Sequence, residues 1–272
     1  RYMQVTGVQT CALPISIEDA VNNGFDRVTL SKLKQKFPNP AQFANLFMCQ
    51  FINDMNSLFK LKELQRCMVD ARVEWQDWRP LRKRPLGDAP VWIGYDPSRT
   101  QDNASLAVIA PPRVEGGKFR IIETQSYNGL DFEAQAKKIK EYTEIYNVQF
   151  VGIDATGLGK AVHDLVIKFF KRARAIIYNV DEKNEMVLKA YQVIHHQRLE
   201  YDSECTEIAS AFLTIHQATT GSGRSVTYKA SRTASTGHAD VAWAIMNAIS
   251  NDPLGMIDDA GHSKKSGSIS LF

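Results

Sequence analysis

The chain has 272 residues, 44% hydrophobic and 23% charged, a balance that allows a substantial core and excludes a disordered or fibrous chain. No run reaches the ~18 consecutive apolar residues of a bilayer span. The formal charge of +3 is too small to demand a nucleic-acid partner, so basic surface must be argued from local clusters.

In chain order, Val5 to Ile15 (VTGVQTCALPI) is similar to the translated frame of a DNA-sequencing adapter. Residues 1–16 are therefore set aside as an artefact, and the natural chain is expected to continue upstream. Residues 17–78 carry helical periodicity, with Phe43, Leu46, Phe47 and Phe51 on one stripe and Leu61, Leu64 and Met68 on another. Pro38 and Pro40 interrupt it, and this helical segment is not expected to fold alone. Residues 79–90 (RPLRKRPLGDAP), rich in proline and basic groups, are expected to be a linker.

Three apolar runs follow, at 91–95 (VWIGY), 105–110 (SLAVIA) and 118–123 (KFRIIE). Short loops join them, with Gly116 and Gly117 at the second turn, so they read as an antiparallel meander. Asp131 is placed to cap a helix running to about Tyr146. A strand at 150–153 ends on Asp154; a helix at 161–170 and a strand at 175–180 come next. Two further helices are striped by Val187, Ala190, Tyr191 and Ile194, and by Ile208, Ala211, Phe212 and Ile215. A short strand at 225–230 precedes a last helix that starts near Asp240 and is striped by Val241, Ala244, Ile245 and Ala248. Residues 253–272, rich in Gly, Ser and Lys, are expected to be a flexible tail. This succession predicts an α/β fold over 91–252, a mixed sheet flanked by helices in the RNase H-like order, preceded by a helical segment.

Cys11, Cys49, Cys67 and Cys205 have neither CxxC spacing nor a histidine partner pattern, which excludes a recognisable zinc site and fits reduced thiols. The chemistry rests instead on Asp96, Asp154 and Asp240, each at the end of a strand or the start of a helix. Singly, each has an ordinary role as a turn former or helix cap. Together, on strands lying side by side, they form the hard-oxygen donor set that binds two Mg2+ or Mn2+ ions for phosphodiester cleavage. Asp102 and His238 are possible auxiliaries. The glycine turn at 156–160 (TGLGK) is not a Walker loop, since Asp154 and Ala161 stand where that motif needs Gly and Ser or Thr. Basic residues cluster at Arg79, Arg82, Lys83 and Arg84, and at Lys168, Lys171, Arg172 and Arg174. A third group, Arg224, Lys229 and Arg232, leads into Asp240. This group, with Lys160, is the candidate DNA-binding set.

The motifs VWIGYDPS (91–98), FVGIDATGLG (150–159), RLEYD (198–202) and TGHADVAWAIMNAI (236–249) resemble the C-terminal nuclease domain of the large terminase subunit of tailed bacteriophages. FANLFMCQFIND (43–54) and ELQRCMVD (63–70) resemble the end of that family's preceding ATPase region, whose Walker loop the chain does not contain. The resemblance implies that Asp96, Asp154 and Asp240 are metal-binding acids of an RNase H-like endonuclease that cuts concatemeric double-stranded viral DNA. It further implies a small terminase subunit and the procapsid portal as partners, no membrane, and the host cell cytoplasm as the place of action. Two other readings stay open on residues alone: a resolvase or transposase on the same sheet, and a non-catalytic module that docks DNA or the portal.

Overall fold

A computed structural model gives the fold and describes residues 16–36, 47, 57–98, 103–219, 226–230 and 239–252. The segment up to residue 55 clusters apart from the rest, together with 234–236. Its described helices are α1 (Ile17–Asn22) and α2 (Leu30–Lys36). A capping box starts α1: the Ser16 hydroxyl accepts from Asp19 N at 3.1 Å, and the Asp19 carboxylate accepts from Ser16 N at 3.0 Å. The adapter-like string, Phe43, Leu46, Phe51 and the 253–272 tail lie outside the described residues.

The larger unit begins with α3 (Leu61–Arg66), β1 (Met68–Val69) and α4 (Ala71–Glu74). The meander β2 (Pro90–Asp96), β3 (Ala104–Ala110) and β4 (Phe119–Tyr127) follows, then α5 (Phe132–Ile145), β5 (Asn147–Asp154), α6 (Gly159–Val166) and β6 (Ala173–Ile176). The chain continues through α7 (Val180–His195), β7 (Leu199–Asp202), α8 (Thr206–Leu213), the hairpin β8 (Ile215–Thr219) and β9 (Val226–Ala230), and α9 (Asp240–Ile249).

Seven strands form one mixed sheet in the order β1-β7-β4-β3-β2-β5-β6. β2, β3 and β4 pair antiparallel, as a meander must; β5 joins β2 in parallel and β6 joins β5 in parallel. Each parallel pair needs a crossover, and α5 and α6 supply two of them. Asp131 starts α5 by accepting from Ala134 N at 2.7 Å, and Asn179 starts α7 by accepting from Glu182 N at 2.7 Å. Every residue of β3 is buried, because helices cover both sheet faces. On one face Ile93, Tyr95, Val151 and Ile153 pack with Ile139 of α5 and Val162 of α6. On the other, Ile109 and Phe119 pack with Val187 of α7, Phe212 of α8 and Ile245 of α9.

The expected α/β architecture is the observed one: a mixed RNase H-like sheet between helical layers. Several boundaries differ. β7 has only four residues and sits between helices, too short for its alternation to register as a strand in the sequence. α8 stops at Leu213 and Ile215 opens β8 instead; Ile215 is buried in the same core, so the helical stripe ran one residue too far. β4 extends to Tyr127 because its polar end, Thr124 to Ser126, still pairs with β3. β6 is earlier and shorter than 175–180, and α6 ends at Val166. Upstream of residue 90, Phe59 and Leu64 enter one core, and Trp75 and Leu86 the other.

Candidate active site at the strand ends

The register of β2 and β5 places the acids. Trp92 pairs with Phe150, Gly94 with Gly152 and Tyr95 with Ile153. Asp96 and Asp154 come one step further, at the ends of neighbouring strands about 4.8 Å apart. Side chains two residues apart on a strand share a face, so both acids project to the face that Gly94 and Gly152 occupy. That face belongs to α9. A Cβ on Gly94 would run into Ala244 O and lie 2.6 Å from Ala248 N; one on Gly152 would lie 2.5 Å from Asn247 O. The absent side chains let the helix rest on the strand backbones, one use of glycine inside a strand.

α9 is buried along Val241–Ile249, and Asp240 is its first residue. Helical spacing puts Asp240 on the same face as Ala244 and Asn247, the face turned to the sheet. One oxygen of its carboxyl is buried. Asp96, Asp154 and Asp240 are all half-buried. Among the described residues no three His, Cys, Asp or Glu side chains form a group that could hold a metal ion. The β2–β5 register sets Asp96 and Asp154 at the ends of adjacent strands, and Asp240 opens the helix that packs on those strands. Two hard carboxylates on one face still suit Mg2+, which commonly takes one or two protein carboxylates and fills its shell with water and substrate oxygens.

Asp154 is fixed by its own turn: its Oδ1 accepts from Thr156 N at 2.8 Å. A Cβ on Gly159 would run into Asp154 O and lie 3.2 Å from Pro97 Cγ, so the bare glycine lets its turn close in on both strand ends. Lys160 stands exposed on the next residue, at the acid end of the sheet. Lys229 is exposed on β9. Asp102, His238, Arg224 and Arg232 lie outside the described residues.

Four residues that the motifs did not single out surround the pair. Lys183 Nζ sits 5.4 Å from the ring centroids of both Tyr178 and Trp243. The Tyr178 hydroxyl donates to Asn247 Oδ1 at 2.8 Å. Burial first, then the charges of Asp96 and Asp154, push the Tyr178 phenol well above its usual range. Asp154 is raised above its ordinary value of 3.8 by burial; its Thr156 hydrogen bonds and the Lys183 charge pull the other way.

That direction fixes a stability effect. An acid with a raised folded-state pKa costs stability while ionised, above that pKa, and the cost disappears below the unfolded value. In chelator at pH 7, Asp154→Asn should therefore raise the melting temperature by about 2–4 °C, since Asn can still accept from Thr156 N. The gain should shrink to nothing by about pH 2.5, a full unit below the ordinary Asp value. Calorimetric melts at both pH values decide it; a lower melting temperature at pH 7 would contradict the assigned environment.

Among the described residues the free cysteines are Cys67 and Cys205, each pushed to about 11 by burial, which fits inert thiols. Among the described residues no helix is long and apolar enough to cross a membrane.

Comparison with known proteins agrees with the geometry. The family model of the Terminase RNaseH-like domain matches residues 93–252, from the middle of β2 to just past α9. The chain is 50% identical over 241 residues to the terminase ATPase subunit of Escherichia phage P2, covering 88% of this chain and 40% of that protein. It is 42% identical over 242 residues to the probable terminase ATPase subunit of Haemophilus phage HP1 (strain HP1c1), with the same coverage of 88% and 40%. It spans about 40% of the length of these curated relatives. The fold is similar to the crystal structure of the large terminase nuclease from thermophilic phage G20c with bound magnesium, at a TM-score of 0.56 and 18% identity over 72% of this chain and 98% of that one. The two acid-bearing strands and the helix that covers them lie in the matched region, and the chain belongs to the terminase RNase H-like domain family.

Proposed function

We propose that the chain is the endonuclease part of a phage DNA-packaging terminase and that it cuts concatemeric double-stranded viral DNA with divalent cations bound at Asp96, Asp154 and Asp240. The observation that carries this reading is the β2–β5 register, which sets two carboxylates at adjacent strand ends on the face roofed by the helix that bears the third. A pair of Mg2+ or Mn2+ ions bound there would supply an activated water and neutralise the leaving oxygen. The chain's own groups hold and orient. Thr156 N fixes one oxygen of Asp154, and the glycine turn at 157–159 keeps bulk away from the strand ends so that a phosphate backbone can approach. Lys160 and Lys229, with Arg224 and Arg232, bind phosphates without regard to base sequence.

The relatives of this chain are described as ATPase subunits. The proposal therefore includes a motor region in the rest of the protein, the small terminase subunit and the procapsid portal as partners, and action in the host cytoplasm. Supercoiled plasmid incubated with the chain should stay intact in EDTA and be nicked or linearised when Mg2+ or Mn2+ is restored, with activity rising at least about tenfold over the chelated state. Salt-sensitive DNA binding with no metal-dependent cutting would overturn the nuclease reading.

A further inference from the structure

Asn247 is fully buried in the last turn of α9, the one polar residue in the run Val241–Ile249. A buried amide costs stability unless both its ends are satisfied. Here Nδ2 donates to Tyr95 O at 2.9 Å, and Oδ1 accepts from the Tyr178 hydroxyl at 2.8 Å. Tyr95 O is the peptide oxygen immediately before Asp96. Tyr178 continues the connection with its backbone: its N–H donates to Thr156 Oγ1 at 2.8 Å, and Thr156 N donates to Asp154 Oδ1 at 2.8 Å. An unbroken chain of hydrogen bonds thus runs from the backbone of Asp96, through the helix that carries Asp240, to the carboxylate of Asp154. It spans four segments distant in sequence: the end of β2, the turn after β5, the β6–α7 loop that carries Tyr178, and α9.

A helix held only by apolar packing can slide by a fraction of an ångström at little cost, whereas directional hydrogen bonds fix register. Tyr178 stands at the junction, since one residue makes both the hydroxyl link to α9 and the amide link to the Asp154 turn. Trp243 and the Lys183 ammonium hold its ring in place.

Resting on the proposed metal site, we infer that Tyr178 and Asn247 are positioning residues that set the spacing of Asp96, Asp154 and Asp240 by tying β2, the β5 turn and α9 into one hydrogen-bonded unit. Neither contacts DNA or the reacting atoms in this role. They act through the acids, as groups behind metal ligands do, where loss of such a group lowers metal affinity about 10- to 100-fold.

The test reads metal binding without turnover. Mn2+ is titrated into the full chain without DNA, and the loss of the free-ion EPR signal gives Kd for the wild type, Asp96→Asn, Tyr178→Phe and Thr156→Val. Tyr178→Phe removes one oxygen and keeps the ring; Thr156→Val removes a hydroxyl that accepts from Tyr178 N and also bonds Asp154, and keeps the N–H that faces Asp154. Each should raise Kd about tenfold with a melting temperature within about 3 °C of wild type. The double variant should be little weaker than Thr156→Val alone, because that substitution already breaks the chain that Tyr178→Phe breaks. An unchanged Kd in Tyr178→Phe, or one that rises only in step with a large fall in melting temperature, overturns the positioning role and leaves the metal site standing. A wild type that binds Mn2+ no better than Asp96→Asn overturns the metal site and the positioning role with it.

Discussion

Asp96→Asn should slow metal-dependent plasmid nicking by about a thousandfold, equivalent to about 4 kcal/mol of barrier, while leaving the fold in place. Asparagine has nearly the same shape as aspartate, and position 96 is the half-buried last residue of β2, so the pairing with Ser105 on β3 does not depend on the charge. What disappears is an anionic donor beside Asp154. A neutral amide oxygen is a far weaker ligand for a hard divalent ion, and the remaining carboxylate cannot reproduce the charge of the pair. Initial nicking rates at saturating Mg2+ and Mn2+, with a melting curve for each protein, are the measurement. Cutting retained within threefold of wild type would remove Asp96 from the site. Loss of cutting with a melting temperature lowered by more than about 5 °C would mean that the residue is structural.

Gly94→Ala is expected to damage the protein more than any other single methyl group. Its new Cβ would collide with Ala244 O and sit 2.6 Å from Ala248 N, both backbone atoms of a helix buried along Val241–Ile249. No rotamer change relieves a clash with backbone, so α9 must lift as a body from β2 and lose packing along its length. A cost of about 3 kcal/mol or more follows, equivalent to about 10 °C in melting temperature for a domain of this size. Gly116→Ala is the useful control. It has nothing within 4 Å of its Cβ but a φ of +73°, so it should cost only about 1 kcal/mol of backbone strain. Equal melting temperatures for the two variants would show that α9 does not rest on β2 as closely as described.

Much of this was legible in the sequence, and the legible parts share a cause. The meander, α5 and α9 are governed by local chemistry: apolar runs closed by turn residues, an Asp at a helix start, and a nearly unbroken apolar helix. The three acids stood out because each falls at an element end, where a side chain is placed by the backbone rather than by packing. That Asp96 and Asp154 end neighbouring strands was not legible, because it depends on β5 joining β2 in parallel and in one particular register, a tertiary choice. The paired glycines at 94 and 152 reveal that register only after the helix is in place. Tyr178 was missed because its role depends on its backbone N–H as much as on its ring. Asn247 did leave a signal: a single amide among VAWAIMNAI is a polar group that must find partners in the core. β7 and β8 were obscured for the opposite reason, since four or five residues are too few for a period of two to stand apart from a helical stripe.

The ribosome releases these pieces in an order that bears on how the strand ends are completed. β2 and β5 can pair as soon as residue 154 has emerged, but α9 is the latest described element to be synthesised, and it brings both Asp240 and the Asn247 amide. A nascent or prematurely terminated polypeptide therefore holds two acids without the roof that registers them. The strand ends and the helix that covers them come together only once residue 249 has emerged.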